Sequence, residues 1–501
     1  MSRRDKVIIP TSLALAMAFG ILLGRGLKNV EVSKKSGNWE KIDQILHYVE
    51  SEYVDEVSRQ ELEEDAIEYL LQKLDPHSHY ISGEELASVN ESIEGSFQGI
   101  GVQFRIENDT VYVINTIAGG PSEKAGVMAG DKIIAVENET IAGVGLANTD
   151  VMRLLKGPSG TEVNVTLKRG IEAIEKTIMR GEVALPSISA AYLLNDTTIY
   201  IKLDRFAKNS HEEFEDLVYP LKTQSTQHLI LDLRGNGGGL LDVAKNISDE
   251  FLEKGKLITY TEGKSRPRRE YYATSDGQFE EVGLSIIIDG YSASASEIIA
   301  GAMQDHKRAH IYGRRSFGKG LVQEQNEWLD GSATRLTIAR YYTPNGRNIQ
   351  REYESLSELQ SADSLGQFDP RGGIEPDVQT LRDTAGITWL YAELMHRGLV
   401  YNFVYEFRDQ NLESLAEMDI TSFKENTEDS LLLADFRTYL ERDSFEINEN
   451  EWARSSTLIV QRIEALLVRS LYNESEYIKI LNEHDPVIQS ILLGRKNPES
   501  I

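Results

Sequence analysis

A run of small and hydroxyl-bearing residues in the second half of the chain is followed at short range by a lysine between two glycines. The run, residues 289–296, reads D-G-Y-S-A-S-A-S, and Lys319 lies between Gly318 and Gly320. A serine hydroxyl becomes a strong nucleophile when a neighbouring base removes its proton, and a lysine can be that base only in its neutral form. These residues are the components of a serine–lysine hydrolase.

The residues around Lys319 favour a neutral amine. Phe317 and Leu321 flank the G-K-G triplet with apolar side chains, and no acidic residue is adjacent. Burial among apolar groups lowers the pKa of a lysine. Gln323 is polar and uncharged, and in a strand it would point to the same face as Lys319. We therefore predict that Lys319 and Gln323 reach into one cleft. For an isolated G-K-G triplet, a loop lysine paired with a surface carboxylate would be the more common interpretation.

Phosphate binding is a second chemistry that this region suggests. Residues 313–320, GRRSFGKG, approach the P-loop pattern GxxxxGK[ST]. Gly320 occupies the position where a hydroxyl must bind Mg²⁺. Residues 321–329 also predict a strand, whereas a P-loop leads into a helix. The nucleotide-binding hypothesis is therefore disfavoured.

A Ser-His-Asp hydrolase is a third possibility. Ser292 stands in the pattern G-x-S-x-S, but Ser294 occupies the place where a nucleophile elbow has glycine. His306 follows Ser294 by twelve residues on what reads as one helix, too far along the axis to touch it, and His310 follows soon after. A histidine triad remains a minority hypothesis.

The elements that would position these residues alternate between strands and helices. Residues 197–203 and 228–235 predict buried strands separated by an amphipathic helix, and the second strand leads through R-G-N-G-G-G-L-L into another helix. This alternation is typical of an open α/β sheet. A turn of consecutive glycines at the carboxyl end of a strand exposes N–H donors, and an oxyanion or ligand would bind there.

A preceding unit, residues 96–180, shows strand periodicity with two short helices and resembles a PDZ domain. The resemblance rests on GIGVQF and GGPSEKAGVMAGDKIIAVENETI within the full succession of strands and helices. It implies that the backbone around Gly99, Ile100 and Gly101 binds a C-terminal carboxylate, while the strand from Val102 pairs with the peptide. We therefore expect a peptide-binding module.

Over about residues 39–378, the chain resembles the carboxyl-terminal processing, or tail-specific, proteases. The stretches that carry the resemblance are YSASASEIIAG, GRRSFGKGLVQ, RGNGGGLL, YYTPNGRNIQ and GGIEPDV. It implies a multi-domain α/β fold, with an open core of crotonase-like or tail-specific protease type and an inserted PDZ domain. It also implies that the chain is a serine endopeptidase that recognises the C-terminal tails of unfolded or exported proteins. No cofactor and no metal are expected.

The same resemblance assigns roles to individual residues. It makes Ser294 the nucleophile, Lys319 the general base and Gln323 the residue that orients the base. Backbone N–H groups form the oxyanion hole in such proteins. They map onto Ala295 and onto the glycine turn near Gly238, without deciding among the neighbouring glycines.

Composition restricts partners and compartment. The 501 residues carry a formal net charge of -27 and no cysteine. A nucleic acid partner is disfavoured by this charge, and disulfides and thiolate metal sites are excluded. Basic residues precede an apolar run over residues 7–24, which fits a signal peptide or an uncleaved membrane anchor, with the anchor favoured. We expect a bacterial cell-envelope protein, anchored in the inner membrane with its bulk in the periplasm, or secreted to the periplasm if the segment is cleaved.

The sequence divides into five predicted segments. They are a signal or anchor with linker (1–36), a helical module (37–94), the PDZ domain (95–180), the protease core (181–380) and an all-helical extension (381–501). In the extension, Ile459, Ile463 and Leu466 predict a bundle core or a dimer contact, with the core favoured; homo-oligomerisation stays an open expectation. Two other function classes remain as alternatives: a catalytically silent PDZ scaffold and an envelope assembly factor.

Overall fold

A computed structural model describes most of the chain after the predicted anchor. The described residues are 39–274, 277–351, 372–381, 384–416, 418–426, 428–442 and 444–496. The predicted signal or anchor, residues 7–24, lies outside them. Within these ranges, no helix combines the length and the apolar composition needed to cross a membrane.

The chain divides into two compact units, Met1–Ser82 and Gly83–Ile501. The first unit contains helices α1 (Trp39–Glu52) and α2 (Arg59–Gln72) and strand β1 (His79–Ile81). Helix α2 begins after Ser58, whose hydroxyl accepts a hydrogen bond from the Glu61 N–H at 3.3 Å and so caps the helix. The second unit contains everything that follows.

The second unit begins with helix α3 (Gly83–Glu94) and a PDZ-like module. Helix α3 covers the last residues of the predicted helical module, 37–94, and lies within the second unit, where Glu94 pairs with Lys208 at 2.6 Å. The chain enters and leaves the module through two antiparallel strands, β2 (Ser96–Gly99) and β9 (Gly181–Ala184). The module itself comprises β3 (Val102–Glu107), β4 (Thr110–Thr116), α4 (Pro121–Lys124), β5 (Lys132–Val136), β6 (Glu139–Thr140), α5 (Asn148–Leu155), β7 (Glu162–Arg169) and β8 (Glu172–Met179).

The five longer strands of the module form a sheet in the order β3-β4-β5-β7-β8, with β6 paired to β5. Alternate residues of β7, Val163, Val165 and Leu167, are buried in its core, as strand periodicity predicts. Strand β3 lies at the edge of this sheet. An edge strand has backbone groups available to pair with an added peptide.

A six-stranded sheet forms the centre of the second unit, in the order β10-β11-β12-β15-β16-β19. The first pair is antiparallel and the remaining pairs are parallel. Helices α6, α7 and α8 connect consecutive parallel strands, so the predicted α/β core is confirmed. The elements are β10 (Ile188–Asn195), β11 (Thr198–Leu203), α6 (Ser210–Val218), β12 (His228–Asp232), α7 (Leu241–Asp249), β15 (Gly283–Ile288), α8 (Ala295–Asp305), β16 (Ala309–Gly313) and β19 (Val378–Gln379).

A smaller antiparallel sheet lies beside the α/β core. It pairs β17 (Leu321–Glu327) with β18 (Ala333–Tyr342), β18 with β13 (Leu257–Gly263), and β13 with β14 (Arg266–Tyr272). Strand β17 follows the G-K-G triplet directly, as predicted. Because β17 begins directly after residues 318–320, this sheet places Lys319 near the carboxyl ends of the strands of the α/β core.

Helices form the C-terminal part of the second unit. Ile459, Ile463 and Leu466 are buried there, so the prediction of a bundle core is confirmed. The helices are α9 (Trp389–His396), α10 (Leu399–Gln410), α11 (Leu412–Ala416), α12 (Ile420–Asn426), α13 (Asp429–Arg442), α14 (Glu449–Leu471), α15 (Glu474–Glu483) and α16 (Pro486–Lys496).

The helical region also contacts the PDZ-like module. The Arg105 guanidinium on β3 lies 3.7 Å from the ring centre of Tyr401, and Arg469 Nη2 donates to Gln103 Oε1 at 3.2 Å. The helical region thus packs against the PDZ-like module through side chains of the edge strand.

Candidate active site

The three serines of the motif differ in what their hydroxyls contact. Ser292 and Ser296 are fully buried and donate hydrogen bonds to the backbone carbonyls of Leu233, at 2.8 Å, and Asn236, at 2.9 Å. Ser294 is half-buried and lines a cleft of about 760 Å³. Of these three serines, Ser294 lines the cleft and the other two do not.

Ser294 occupies a sharp turn between β15 and α8. Its backbone has φ +55° and ψ -112°, a combination that is costly for a residue with a side chain. Such strain persists only where surrounding contacts enforce it, and strained strand-to-helix turns hold the nucleophiles of α/β-hydrolases. The turn thus resembles an elbow in geometry, although Ser292 and Ser296 stand where the pattern G-x-S-x-G, centred on Ser294, would have glycine.

Lys319 and Gln323 line the same cleft. The Lys319 ammonium donates a hydrogen bond to Gln323 Oε1 at 3.0 Å. Lys319 precedes β17, which begins at Leu321, so the strand alternation that predicted this pairing does not apply to the lysine. The two side chains meet because the backbone of the G-K-G segment is fixed by contacts from outside the strand.

Glu297 makes these contacts, and the sequence reasoning missed it. Its carboxylate is fully buried on the first turn of α8. One oxygen accepts from Ser316 Oγ at 2.5 Å and Gly318 N at 2.7 Å, and the other from Ser294 N at 2.8 Å and Lys319 N at 2.9 Å. A single side chain therefore holds the backbone of both the predicted nucleophile and the predicted base.

Burial raises the pKa of Glu297 above its ordinary value, although its four hydrogen-bond donors oppose this shift. The expectation that no acidic group adjoins the lysine holds along the sequence but not in space. The carboxylate binds the Lys319 backbone N–H across the turn. The signal for this residue was present, because Ser294 and Glu297 form the S-x-x-E pattern of a capping box.

Tyr341, on β18, also connects the backbones of Ser294 and Lys319. Its buried hydroxyl contacts the backbone carbonyl of Ser294 at 3.0 Å and that of Lys319. Burial raises the pKa of this phenol well above its ordinary value, so it remains a donor at neutral pH. The tyrosine belongs to the motif YYTPNGRNIQ, from which no role had been inferred.

The glycine turn packs directly against the turn that holds Ser294. Gly238 has φ +99°, and a Cβ placed there would lie 2.8 Å from Ser294 Cβ and 2.7 Å from the Ala293 carbonyl. The Gly238 N–H, a predicted oxyanion donor, already donates to Asn236 Oδ1 at 2.8 Å. Ala295, the other predicted donor, is the first residue of α8, and an N–H at that position has no acceptor within its own helix.

The predicted carboxylate-binding residues lie where the chain enters the PDZ-like sheet. Gly99 ends β2, Ile100 is buried, Gly101 has φ +73°, and Val102 begins the edge strand β3. The stretch is therefore a turn that leads directly into the unpaired edge of a sheet.

Helix α3 connects the PDZ-like module with the cleft. Lys156, at the end of α5, forms an ion pair with Glu91 of α3, and both side chains are partly buried. Asn90, Ile93 and Glu94 of the same helix line the cleft. One helix therefore touches both the PDZ-like module and the candidate active site.

The described residues that line the cleft include no histidine. His306 lies at the C-terminal end of α8, with Nε2 2.7 Å from the Leu257 carbonyl. The geometry therefore offers no histidine base for Ser294 within the described part of the chain.

One group of side chains in the described ranges has the spacing of metal ligands. His211, Glu215 and Glu250 have ligand atoms within 4.8 Å of one another. His211 Nε2 lies 2.9 Å from Glu250 Oε1, and the Tyr219 hydroxyl donates to the same oxygen at 2.8 Å. The hydrogen bond to Glu250 raises the pKa of His211. These contacts account for the cluster as a hydrogen-bonded network, and none of the three residues lines the cleft.

Comparison with known proteins extends these observations. Residues 197–379 match the model of peptidase family S41, and residues 98–178 match a PDZ domain. Residues 25–85 match the activating protease CtpB N-terminal domain, and residues 390–473 match a family of unknown function (DUF8443). The carboxy-terminal-processing protease of Bartonella bacilliformis is 35% identical over 312 residues, which cover 61% of this chain and 71% of the relative.

The chain belongs to the carboxy-terminal-processing protease family. A probable CtpA-like serine protease of Staphylococcus epidermidis is 30% identical over 346 residues, covering 68% of this chain and 69% of that protein. Among solved structures, the photosystem II D1 C-terminal processing protease is 28% identical, with a TM-score of 0.39, and the match covers 69% of this chain and 87% of that one. The predicted family is confirmed: the chain is a serine-type C-terminal processing peptidase with an S41 core and a PDZ domain.

Proposed function

We propose that this peptidase cleaves polypeptides after binding their C-terminal tails, with Ser294 as nucleophile, Lys319 as general base and Gln323 as the residue that orients the base. The observation that carries the proposal is the cleft itself. It contains Ser294 together with a lysine whose amine is held by a neutral amide at 3.0 Å. The two flanking serines are buried and committed to backbone carbonyls, which leaves Ser294 as the hydroxyl in position to react.

The mechanism proceeds through an acyl-enzyme. Neutral Lys319 takes the proton of the Ser294 hydroxyl while the oxygen attacks the scissile carbonyl carbon. The oxyanion forms near the Ala295 N–H and the glycine turn around Gly238. The lysine ammonium then protonates the departing amine, the peptide C–N bond breaks, and an ester to Ser294 remains. Water, deprotonated by Lys319, hydrolyses this ester and regenerates the hydroxyl.

Substrate recognition is assigned to the PDZ module. The free carboxylate of the tail binds at the turn formed by Gly99, Ile100 and Gly101, and the tail pairs with the edge of β3 from Val102 onward. Two observations support this assignment: the match to a PDZ domain and the position of β3 at the sheet edge. The net charge of -27 disfavours nucleic acid as a partner.

The place of action is proposed from the sequence. The basic residues and the apolar run of residues 7–24 support attachment to the bacterial inner membrane, with the peptidase in the periplasm. The same segment would direct secretion to the periplasm if it is cleaved. N-terminal sequencing of the mature protein distinguishes the two. Homo-oligomerisation remains a prediction that light scattering would test.

The decisive experiment compares two tails and three serine or lysine variants. The full chain in detergent is incubated with an unfolded protein whose apolar C-terminus is either a free acid or an amide. We expect the free acid to be cut with a lower KM. Ser294→Ala should lower kcat by about a millionfold and Lys319→Ala by more than about a thousandfold. Ser225→Ala, on an exposed loop, is the matched control and should cut normally.

Two results would contradict the proposal. One is a Ser294→Ala or Lys319→Ala variant that cuts as fast as the wild type, as the silent-scaffold alternative predicts. The other is a pH–rate profile without a rising limb, since a lysine base must lose a proton before it can act.

A further inference from the structure

The C-terminal helices α15 and α16 cover the face of the six-stranded sheet that the crossover helices leave open. Val487, Ile488 and Ile491 of this segment are buried with sheet residues that point to the same side. Those sheet residues are Ala190, Tyr192, Tyr200, Ile230, Ile287 and Tyr312. Asn482 also donates to the Tyr192 hydroxyl at 2.8 Å. The last helices are therefore a layer of the catalytic domain.

Within this layer, Asp485 contacts the start of the glycine turn. Arg234 lies two residues after the end of β12 and directly before the glycine turn. Its Nη1 donates to Asp485 Oδ2 at 2.6 Å, across 251 residues of sequence. The other Asp485 oxygen accepts from the N–H groups of Val487, at 2.8 Å, and Ile488, at 3.2 Å, and so caps α16. One carboxylate thus both caps the helix and anchors Arg234.

Arg234 is held from its other side by Asp232. Asp232 is almost fully buried, and the Tyr200 hydroxyl donates to its Oδ2 at 2.8 Å. Although burial opposes it, the charges of Arg234 and Lys202 hold the pKa of Asp232 below its ordinary value. The Arg234 carbonyl accepts from the Lys202 ammonium at 2.6 Å. Arg234 is therefore fixed through both its guanidinium and its peptide group.

Gly235, the residue after Arg234, contacts the turn that leads to the proposed nucleophile. Gly235 N donates to Asp289 Oδ1 at 3.0 Å, and the same oxygen accepts from Tyr291 N at 3.0 Å. Three residues later, Gly238 packs against Ser294. The position of the guanidinium therefore sets where the glycine turn departs from the sheet and how it meets the turn of the proposed nucleophile.

From these contacts we infer that Asp485 is a positioning residue for the peptidase reaction. It acts through Arg234 on the glycine turn beside Ser294, and it touches neither substrate nor the reacting atoms. This inference rests on the proposed function, since it assigns the glycine turn to the oxyanion. A displacement of about 1 Å at a catalytic group costs up to about a hundredfold in rate. We therefore expect loss of the Asp485–Arg234 ion pair to lower kcat by about 10- to 100-fold.

The capping and anchoring roles of Asp485 can be separated. Asparagine caps helices about as well as aspartate but carries no charge. Asp485→Asn should therefore keep α16 in place while weakening the bond to Arg234. Asp485→Glu retains the charge and should recover part of the lost kcat. Glu483→Gln is the matched control, because Glu483 lies two residues away and pairs with Lys424 within the helical region.

The test measures kcat and KM of these full-length variants on a protein with an apolar free-acid tail, together with their melting temperatures. The expected result for Asp485→Asn is a kcat lowered about 10- to 100-fold, with KM changed less than about twofold and melting close to that of Glu483→Gln. A kcat equal to that of Glu483→Gln would overturn the inference. So would a loss of kcat matched by the fraction of unfolded protein. A wild type that does not cut would overturn the proposed function, and the inference with it; a wild type that cuts beside an equally active Asp485→Asn overturns the inference alone.

Discussion

Replacing Glu297 with glutamine changes one oxygen of the side chain that ties Ser294 to Lys319. The carboxylate accepts two hydrogen bonds on each oxygen. A glutamine offers one oxygen and an NH2 group, which cannot accept from an N–H. With the NH2 facing Ser316, that hydroxyl can rotate and accept, and the Gly318 N–H loses its acceptor. With the opposite orientation, the N–H groups of both Ser294 and Lys319 lose theirs.

The loss of folding free energy in Glu297→Gln depends on which of these two orientations the amide adopts. One unsatisfied buried N–H costs about 1–3 kcal/mol, so the better orientation costs about that much and the other about twice as much. The raised pKa of Glu297 shows that burial disfavours the charged form, and glutamine removes that penalty. The removed penalty partly offsets the lost hydrogen bonds, so we expect the free energy of unfolding to change less than kcat does. We expect Glu297→Gln to lower kcat by at least about tenfold, because the backbone of one catalytic segment must shift.

The pH dependence gives an independent readout. A glutamate whose folded pKa is raised contributes stability that is present below its unfolded pKa, about 4.3, and is lost as pH rises through the folded pKa. Glutamine has no such dependence. The stability of the wild type relative to Glu297→Gln should thus fall as pH increases through the range between the unfolded and folded pKa values.

The assay compares kcat and urea unfolding of Glu297→Gln with those of Glu213→Gln. Glu213 is a partly buried glutamate that also accepts two backbone N–H groups, from Ser187 at 2.8 Å and Ile188 at 3.0 Å, and whose pKa is likewise raised by burial. It does not line the cleft. Equal kcat in the two variants, or a Glu297→Gln enzyme as fast as the wild type, would refute the role given to Glu297.

Three further substitutions test other contacts. Gly238→Ala places a Cβ 2.8 Å from Ser294 Cβ at φ +99°, and we expect kcat to fall at least about a hundredfold, whereas Gly237→Ala, whose Cβ meets no described atom within 4 Å, should be tolerated. Tyr341→Phe removes the hydroxyl that contacts the Ser294 and Lys319 carbonyls; the Ser294 carbonyl still accepts from the N–H groups of Glu297 and Ile298, so we expect a cost of about 1 kcal/mol in urea unfolding, together with a lower kcat. Arg105→Ala removes a cation–π contact worth about 0.5–2 kcal/mol, and faster hydrogen exchange in β3 would report the loosened module.

The fold was largely predictable because its signals are local. Strand periodicity, crossover helices and the edge strand of the PDZ domain follow from runs of a few residues. Lys319 and Gln323 could be predicted to lie together because a lysine proposed as a base needs an uncharged partner. The choice of Ser294 among three serines was not available from local chemistry, since it depends on which hydroxyls the fold buries.

The residues that sequence reasoning missed act across long separations or through backbone atoms. Glu297 binds the N–H groups of Gly318 and Lys319, which any residue type would supply, so these two contacts leave no trace in side-chain chemistry. Asp485 meets Arg234 across 251 positions, in a region that had shown no chemistry of its own. Tyr341 lies in the antiparallel sheet and contacts the Ser294 carbonyl at the end of the α/β sheet. Each of these contacts requires the tertiary fold before it can be seen.

The site has two side-chain acceptors near Lys319, the carboxylate of Glu297 and the neutral amide of Gln323, and they bind different parts of the lysine. The four hydrogen bonds that Glu297 accepts fill the approximately four lone-pair positions of a carboxylate, and all come from groups other than the Lys319 amine. The amine is held by the uncharged Gln323 at 3.0 Å. A neutral acceptor orients a lysine while favouring its ammonium form less than a carboxylate would, since a negative charge in contact with the amine raises its pKa further.

Gln323→Glu tests this division directly. The new carboxylate would sit against the Lys319 amine, so the rising limb of the pH–rate profile should move to higher pH by about 1 unit or more, and kcat at neutral pH should fall about tenfold. Gln325→Glu is the matched control, because Gln325 lines the same cleft but contacts Asn90 and Arg335. If both variants shift the limb equally, the effect is the general charge of the cleft. If neither shifts it, Lys319 is not the base whose titration limits the reaction, and the neutral acceptor has some other purpose.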